Sequence, residues 1–142
     1  MRAEVYRVAT RLGLGVLVVY NGSRPLRPPD LPNVRMILVG DASDAADDWI
    51  AERIGAGDVC VTSDVPLASR CLANGARVVA PNGRVWTQAN IGGALAGREL
   101  ARHLRELGVK TKGPAALTKA DRSRFLSAID TEVQKGLRET PS

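Results

Sequence analysis

The chain runs from a helix at about residues 2 to 12 directly into Leu14 to Val19, a run that is β-branched and apolar on both faces. A strand with no polar face belongs inside a sheet covered by helices on both sides, and that arrangement is characteristic of parallel sheets. Two further runs repeat the signal, Val34 to Val39 and Asp58 to Thr62, and helical stretches follow each, at about Asp44 to Ile54 and from Ser63-Asp64-Val65-Pro66 to about Ala73. Alternating strand and helix gives an α/β domain with right-handed crossovers, a Rossmann-like topology in which the loops after Val19, Val39 and Thr62 meet at one sheet edge. Such a domain ordinarily opens on a strand. This sequence opens on a helix, so it reads as a three-layer α/β domain whose mostly parallel sheet lacks its first, central strand.

Turn chemistry marks the remaining boundaries. Four prolines within Asn21 to Pro32 impose an extended loop, Gly55 and Gly57 close the helix that begins near Asp44, and Asn74-Gly75 suits a helix C-terminus. Arg77 to Ala80 reads as a fourth strand and Val85-Trp86 as a last fragment, before a helix from about Gln88 to Leu107. A Lys-bearing loop at Gly108 to Pro114 leads to a final helix from Thr118 to about Gly136, with Thr118 as N-cap and Asp121 at N3.

At 142 residues the chain suits one domain, residues 1 to 142, and no apolar run approaches the roughly 20 residues that cross a bilayer. Cys60, inside a strand, and Cys71, on the next helix, read as small buried hydrophobes rather than as a disulfide or metal pair, which fits a reducing cytoplasm. The net charge of +5 is uneven. Residues 1 to 90 hold ten Arg against nine acidic residues (+1), and residues 91 to 142 hold ten basic against six acidic residues (+4). The basic C-terminal part, about residues 108 to 142, is compatible with a nucleic-acid partner and equally with a solvated helical face.

Acidic residues gather where the sheet edge is expected. Asp41, Asp44, Asp47 and Asp48 follow the second strand, and Asp64 follows the third by two residues. Asp44 and Asp47 share one helix face, and oxygen ligands from several loops, completed by water, suit Mg²⁺ or Mn²⁺. The competing reading makes Asp44, Asp47 and Asp64 helix-capping residues that accept backbone N–H bonds, with Asp41 and Asp48 solvated. His103, beside Arg102 and Arg105, reads as a surface residue, and Trp49 and Trp86 as packing rather than base-stacking groups. Thr62 is either a phosphate contact or a partner for local backbone. Lys110, Lys112, Lys119, Arg122 and Arg124, around the Gly113-Pro114 loop and the start of the last helix, are the phosphate-contact candidates, set against a role in solubility.

Four segments in order, Asp44-Ala-Ala-Asp47-Asp48-Trp-Ile50, Gly57-Asp58 through Thr62-Ser-Asp64-Val-Pro66-Leu67-Ala68, Pro81-Asn-Gly83 with Thr87-Gln-Ala-Asn90-Ile91, and Lys112-Gly113-Pro114 with Asp121 and Phe125, resemble the YaiI/YqxD family. This is a group of uncharacterised bacterial proteins with a PIN-like fold. The resemblance runs from about Glu4 to Asp130 and implies metal-dependent cleavage of RNA by carboxylates at the C-terminal edge of a parallel sheet. By position it makes Asp44, Asp47 and Asp64 the catalytic and metal-binding residues, with Mg²⁺ or Mn²⁺ as cofactor, and it places Arg98 at a recurrent position that reaches a carboxylate or the substrate backbone. The alternative is a non-catalytic phosphate- or nucleic-acid-binding module of the same fold. Two departures stand out. Asp48 replaces the family's usual Asn, and the family's opening strand with its D-x-D-A-C-P-V segment is missing, which implies a start assigned too far downstream or a natural truncation and leaves catalysis by the chain as written in question.

Overall fold

A computed structural model describes residues 2–22, 27–42, 44–108 and 117–139. Five helices and five strands follow one another as α1 (Arg2–Leu12), β1 (Val16–Asn21), β2 (Val34–Val39), α2 (Ala45–Arg53), β3 (Val59–Val61), α3 (Val65–Ala73), β4 (Arg77–Val79), β5 (Val85–Trp86), α4 (Gln88–Glu106) and α5 (Lys119–Glu139). The chain is α/β, as its pattern predicts. Its sheet is divided, however. β1 pairs with β2 in parallel, β3 pairs with β4 in parallel, β5 adds antiparallel to β4, and no described strand joins β1 to β3.

Local chemistry explains where elements stop. Gly13 takes a left-handed φ of 71° at the end of α1, with its N–H donating to Thr10 O and the Leu14 N–H to Ala9 O. This paired bonding satisfies the last carbonyls of the helix. It also occupies Leu14, so β1 begins at Val16 rather than at Leu14 as the apolar run suggests. Gly75, φ 86°, ends α3 in the same way, with Ala76 N–H donating to Cys71 O.

The buried core lies on the two faces of β3 and β4. Cys60 and Val78 point to one side, where α2, α3 and α4 contribute Ala51, Leu67, Ala68, Cys71 and Ile91, and β5 adds Trp86. Val79 points to the other, against Val8 of α1 and Phe125 and Ile129 of α5. That alternation is the period of two expected of a strand covered on both faces. The hydrogen bond to Cys71, together with burial, pushes the Cys60 thiol far above the ordinary range, and both cysteines are buried in the core.

Helix α5 is fastened to the sheet by close approach and by charge. A Cβ on Gly136 would stand 2.7 Å from the Gly57 carbonyl oxygen, and one on Gly83, at the β4–β5 turn, 2.7 Å from the Arg124 backbone. Both contacts require glycine. Glu132, almost fully buried, accepts from Arg77 at 3.3 Å and pairs with Lys135 at 3.5 Å, while Arg77 also binds Glu139. A buried carboxylate needs such partners to offset lost hydration.

β1 and β2 are different. Their residues are mostly apolar, yet none is fully buried, and Leu17 and Leu38 are 51% and 61% exposed. α2 and α1 touch this pair without enclosing it.

Candidate functional site

α2 and α3 pack against each other and bring the acidic segments of two crossover units together. Asp44 stands at the N-cap of α2 without a side-chain capping bond, and Asp47 and Asp48 occupy the first turn. Asp64 is the N-cap of α3: its Oδ1 accepts from the Leu67 N–H at 2.9 Å, and Pro66 sits in the first turn, where no backbone donor is missed. Thr62, at the end of β3, accepts from the Asp64 N–H through Oγ1 at 3.0 Å. It therefore shapes the turn that carries Asp64, which is the local-backbone role open to it.

Asp47 is the perturbed member of the group. Partial burial raises its carboxyl above the ordinary aspartate range, and the charge of Asp64 raises it further, with smaller contributions from Asp48 and Asp44; Arg70 opposes these. Four carboxylates on two helices thus share one field, and the charge on Asp47 weighs against the folded state. A carboxyl raised on folding reduces stability as pH climbs from its unfolded value through its folded one. Asp121 and Asp130 go the other way. Each is held below the usual range, by the Thr118 backbone N–H and by Gln134 with Arg11, respectively, so their contribution is present at neutral pH and lost in acid.

Asp48, read from the sequence as solvated, is half-exposed and ion-paired. Arg70 of α3 donates to its Oδ1 at 2.7 Å, so the extra acid of this segment is balanced by a cation 22 residues away. Arg70 also faces Asp47 electrostatically. The sequence pattern does not single Arg70 out, because the pair depends on how two helices pack. Among the described residues, no three His, Cys, Asp or Glu side chains stand close enough to hold a metal ion by direct ligation.

The basic candidates are spread apart. Arg98 is exposed on α4, and Arg122 lies at the start of α5, where its charge acts on Glu4 of α1. α1 and α5 cover the face of β4 opposite α2 and α3, so Arg122 and the Asp47 group belong to different layers. Lys110 and Lys112 lie outside the described residues. Thr118 and Asp121 cap α5 reciprocally, each side chain accepting from the other's N–H at 3.0 Å, and Arg124 pairs with Asp121. Trp86 is buried with Arg84 over its ring, which makes it a packing residue, and His103 is exposed.

Residues 1–135 match the family described as "Uncharacterized BCR, YaiI/YqxD family". The chain belongs to the YaiI/YqxD family. A UPF0178 protein of Paramagnetospirillum magneticum is 52% identical over 99% of this chain and 92% of its own length. One from Caulobacter vibrioides is 51% identical over 99% and 91%, and one from Rhodospirillum rubrum 48% identical over 94% and 89%. No solved structure matches. Among the described residues, no helix of this YaiI/YqxD protein is long and apolar enough to cross a membrane.

Proposed function

We propose that this YaiI/YqxD chain is a PIN-like domain that processes RNA with a divalent cation, Mg²⁺ or Mn²⁺, held at the Asp44, Asp47 and Asp64 group. The raised carboxyl of Asp47, crowded by Asp64, Asp48 and Asp44, carries this reading. Like charges concentrated at a loop edge are costly alone and favourable around a cation, and perturbed carboxyls cluster at working sites. Mg²⁺ usually keeps several waters, so carboxylates too far apart to ligate it together still hold it through its hydration shell. The cation would neutralise phosphate charge and acidify a bound water. Asp47 would hold the hydrated ion, Asp64 would fix it from the α3 side, and Thr62 would set the Asp64 turn. Arg98 and Lys112 are phosphate contacts in this proposal, and Arg122, in the opposite layer, is not. A labelled single-stranded RNA incubated with the chain and increasing Mg²⁺ tests it: cleavage that needs both the metal and Asp47 supports the reading, and intact RNA at saturating Mg²⁺ refutes it.

A second reading is favoured by one bond. The Asp64 carboxylate already serves the Leu67 N–H, which suits a non-catalytic phosphate- or nucleic-acid-binding module. Salt-sensitive RNA binding without cleavage distinguishes it.

The PIN-like reading also treats β1–β2 and β3–β4–β5 as two halves of one sheet, with the position of a central parallel strand between β1 and β3. Two-stranded sheets are marginal alone, and the incomplete burial of β1 and β2 supports a missing neighbour. A version of the chain with an apolar strand supplied ahead of α1 is expected to melt at a higher temperature. Equal melting temperatures would count against the split-sheet account.

A further inference from the structure

Helices α1 and α5 pack against each other over β4, and between them lies a groove of about 810 Å³. Its walls are fastened on three sides. Arg11 of α1 binds Asp130 of α5 at 2.8 Å, and Val8 packs onto Phe125 and Ile129. Asn33 donates to Thr10 Oγ1 at 3.3 Å and to the Leu14 carbonyl at 2.9 Å, which ties the segment carrying Leu31, another lining residue, to the end of α1. A groove held by such contacts is already shaped before a ligand arrives.

The two arginines that line it are not equivalent. Arg11 is neutralised by Asp130, whereas the exposed Arg7 side chain has no ion pair or hydrogen bond among the described residues. The Ser123 and Ser127 hydroxyls, also in the lining, are unbonded among the described residues as well. A half-buried aromatic ring, Tyr6, stands next to Arg7 in the chain and lines the same groove. The smaller cavity at Arg77, Arg124 and Lys135 differs, because each of those cations already has a carboxylate partner.

We propose that the α1–α5 groove binds a small organic phosphate with a planar aromatic ring, of the size of a nucleoside monophosphate. Arg7 takes the phosphate, since a free guanidinium matches its oxygens in pairs, and the serine hydroxyls donate to further oxygens. Tyr6 lies against the ring. The volume is that of a small-molecule site and far exceeds what a lone phosphate would fill. The groove is on the opposite side of β4 from the Asp47 group, so this site does not rest on the RNA reading.

Calorimetric titration of the full chain with AMP, in EDTA so that no metal bridges the nucleotide to the aspartates, tests the proposal. One molecule of AMP is expected to bind per chain, and adenosine and inorganic phosphate each to bind about tenfold or more weakly. Arg7→Gln is expected to weaken AMP binding by about tenfold or more, with an unchanged melting curve because the side chain is exposed. Tyr6→Leu should weaken it about fivefold or more. Asp47→Asn should bind AMP as the wild type does. Four ribonucleoside monophosphates that all fail to bind, an Arg7→Gln variant that binds like the wild type, or inorganic phosphate that binds as well as AMP would overturn the proposal. So would a single-stranded RNA that displaces AMP at lower concentration than AMP itself, which would make the groove part of an RNA path.

Discussion

Phe125→Ala is expected to cost about 3–5 kcal/mol in urea unfolding, a large part of the 5–15 kcal/mol that holds a domain of this size together. The ring is 1% exposed and lies among Val8, Val79 and Ile129, so it joins α1 and α5 to β4. The space it leaves cannot collapse easily. Next to it, the Gly83 turn already touches the α5 backbone, and further along the helix Gly136 touches the Gly57 carbonyl. Helix α5 is therefore held at both ends and cannot move inward. Leu38→Ala provides the contrast: that side chain is 61% exposed and its removal should cost well under about 1 kcal/mol. Similar costs for the two substitutions would mean that α5 does not pack as described.

The second large effect concerns chemistry. With Mg²⁺ present, Asp47→Asn is expected to lower the rate of RNA cleavage by about 100-fold or more, the scale at which loss of a metal-holding or proton-handling carboxylate acts. The substitution keeps the shape of the side chain and removes its charge, and it also removes a carboxylate whose ionisation opposes folding. The same variant should therefore be at least as stable as the wild type at neutral pH in the absence of metal. Loss of cleavage with retained or raised stability separates a functional residue from a structural one, because a capping or packing residue would lose both together.

Much of this arrangement is legible in the sequence because it rests on local chemistry. Asp64 followed by Pro66 announces a helix start, Asn74-Gly75 a helix end, and Thr118 with Asp121 a reciprocal cap, and each forms. The apolar runs locate β2 and β3, and the parallel direction expected of such strands is that of β1 with β2 and of β3 with β4. Other features depend on distant packing. The bond between Asp48 and Arg70 exists only because α2 lies against α3, and the salt bridges from Arg77 to Glu132 and Glu139 span more than 50 residues. β1 begins two residues after the start of the apolar run, because periodicity alone cannot show that Leu14 completes the end of α1. The partners of each strand were not legible: the described strands form two pieces, β1–β2 and β3–β4–β5, since pairing between strands is a property of their edges and not of their residues' faces.

The claim at the centre of the account is that Asp47, Asp64 and their acidic neighbours form one electrostatic unit that a divalent cation relieves. An NMR pH titration of the aspartate side-chain carboxyls tests it most directly, in the wild type, in Asp64→Asn and in the wild type with Mg²⁺. The account predicts that Asp47 titrates above the ordinary aspartate value, moves down in Asp64→Asn and moves down again when Mg²⁺ is added. An Asp47 that titrates near about 3.9, the value of an isolated aspartate, and responds to neither the substitution nor the metal would contradict it.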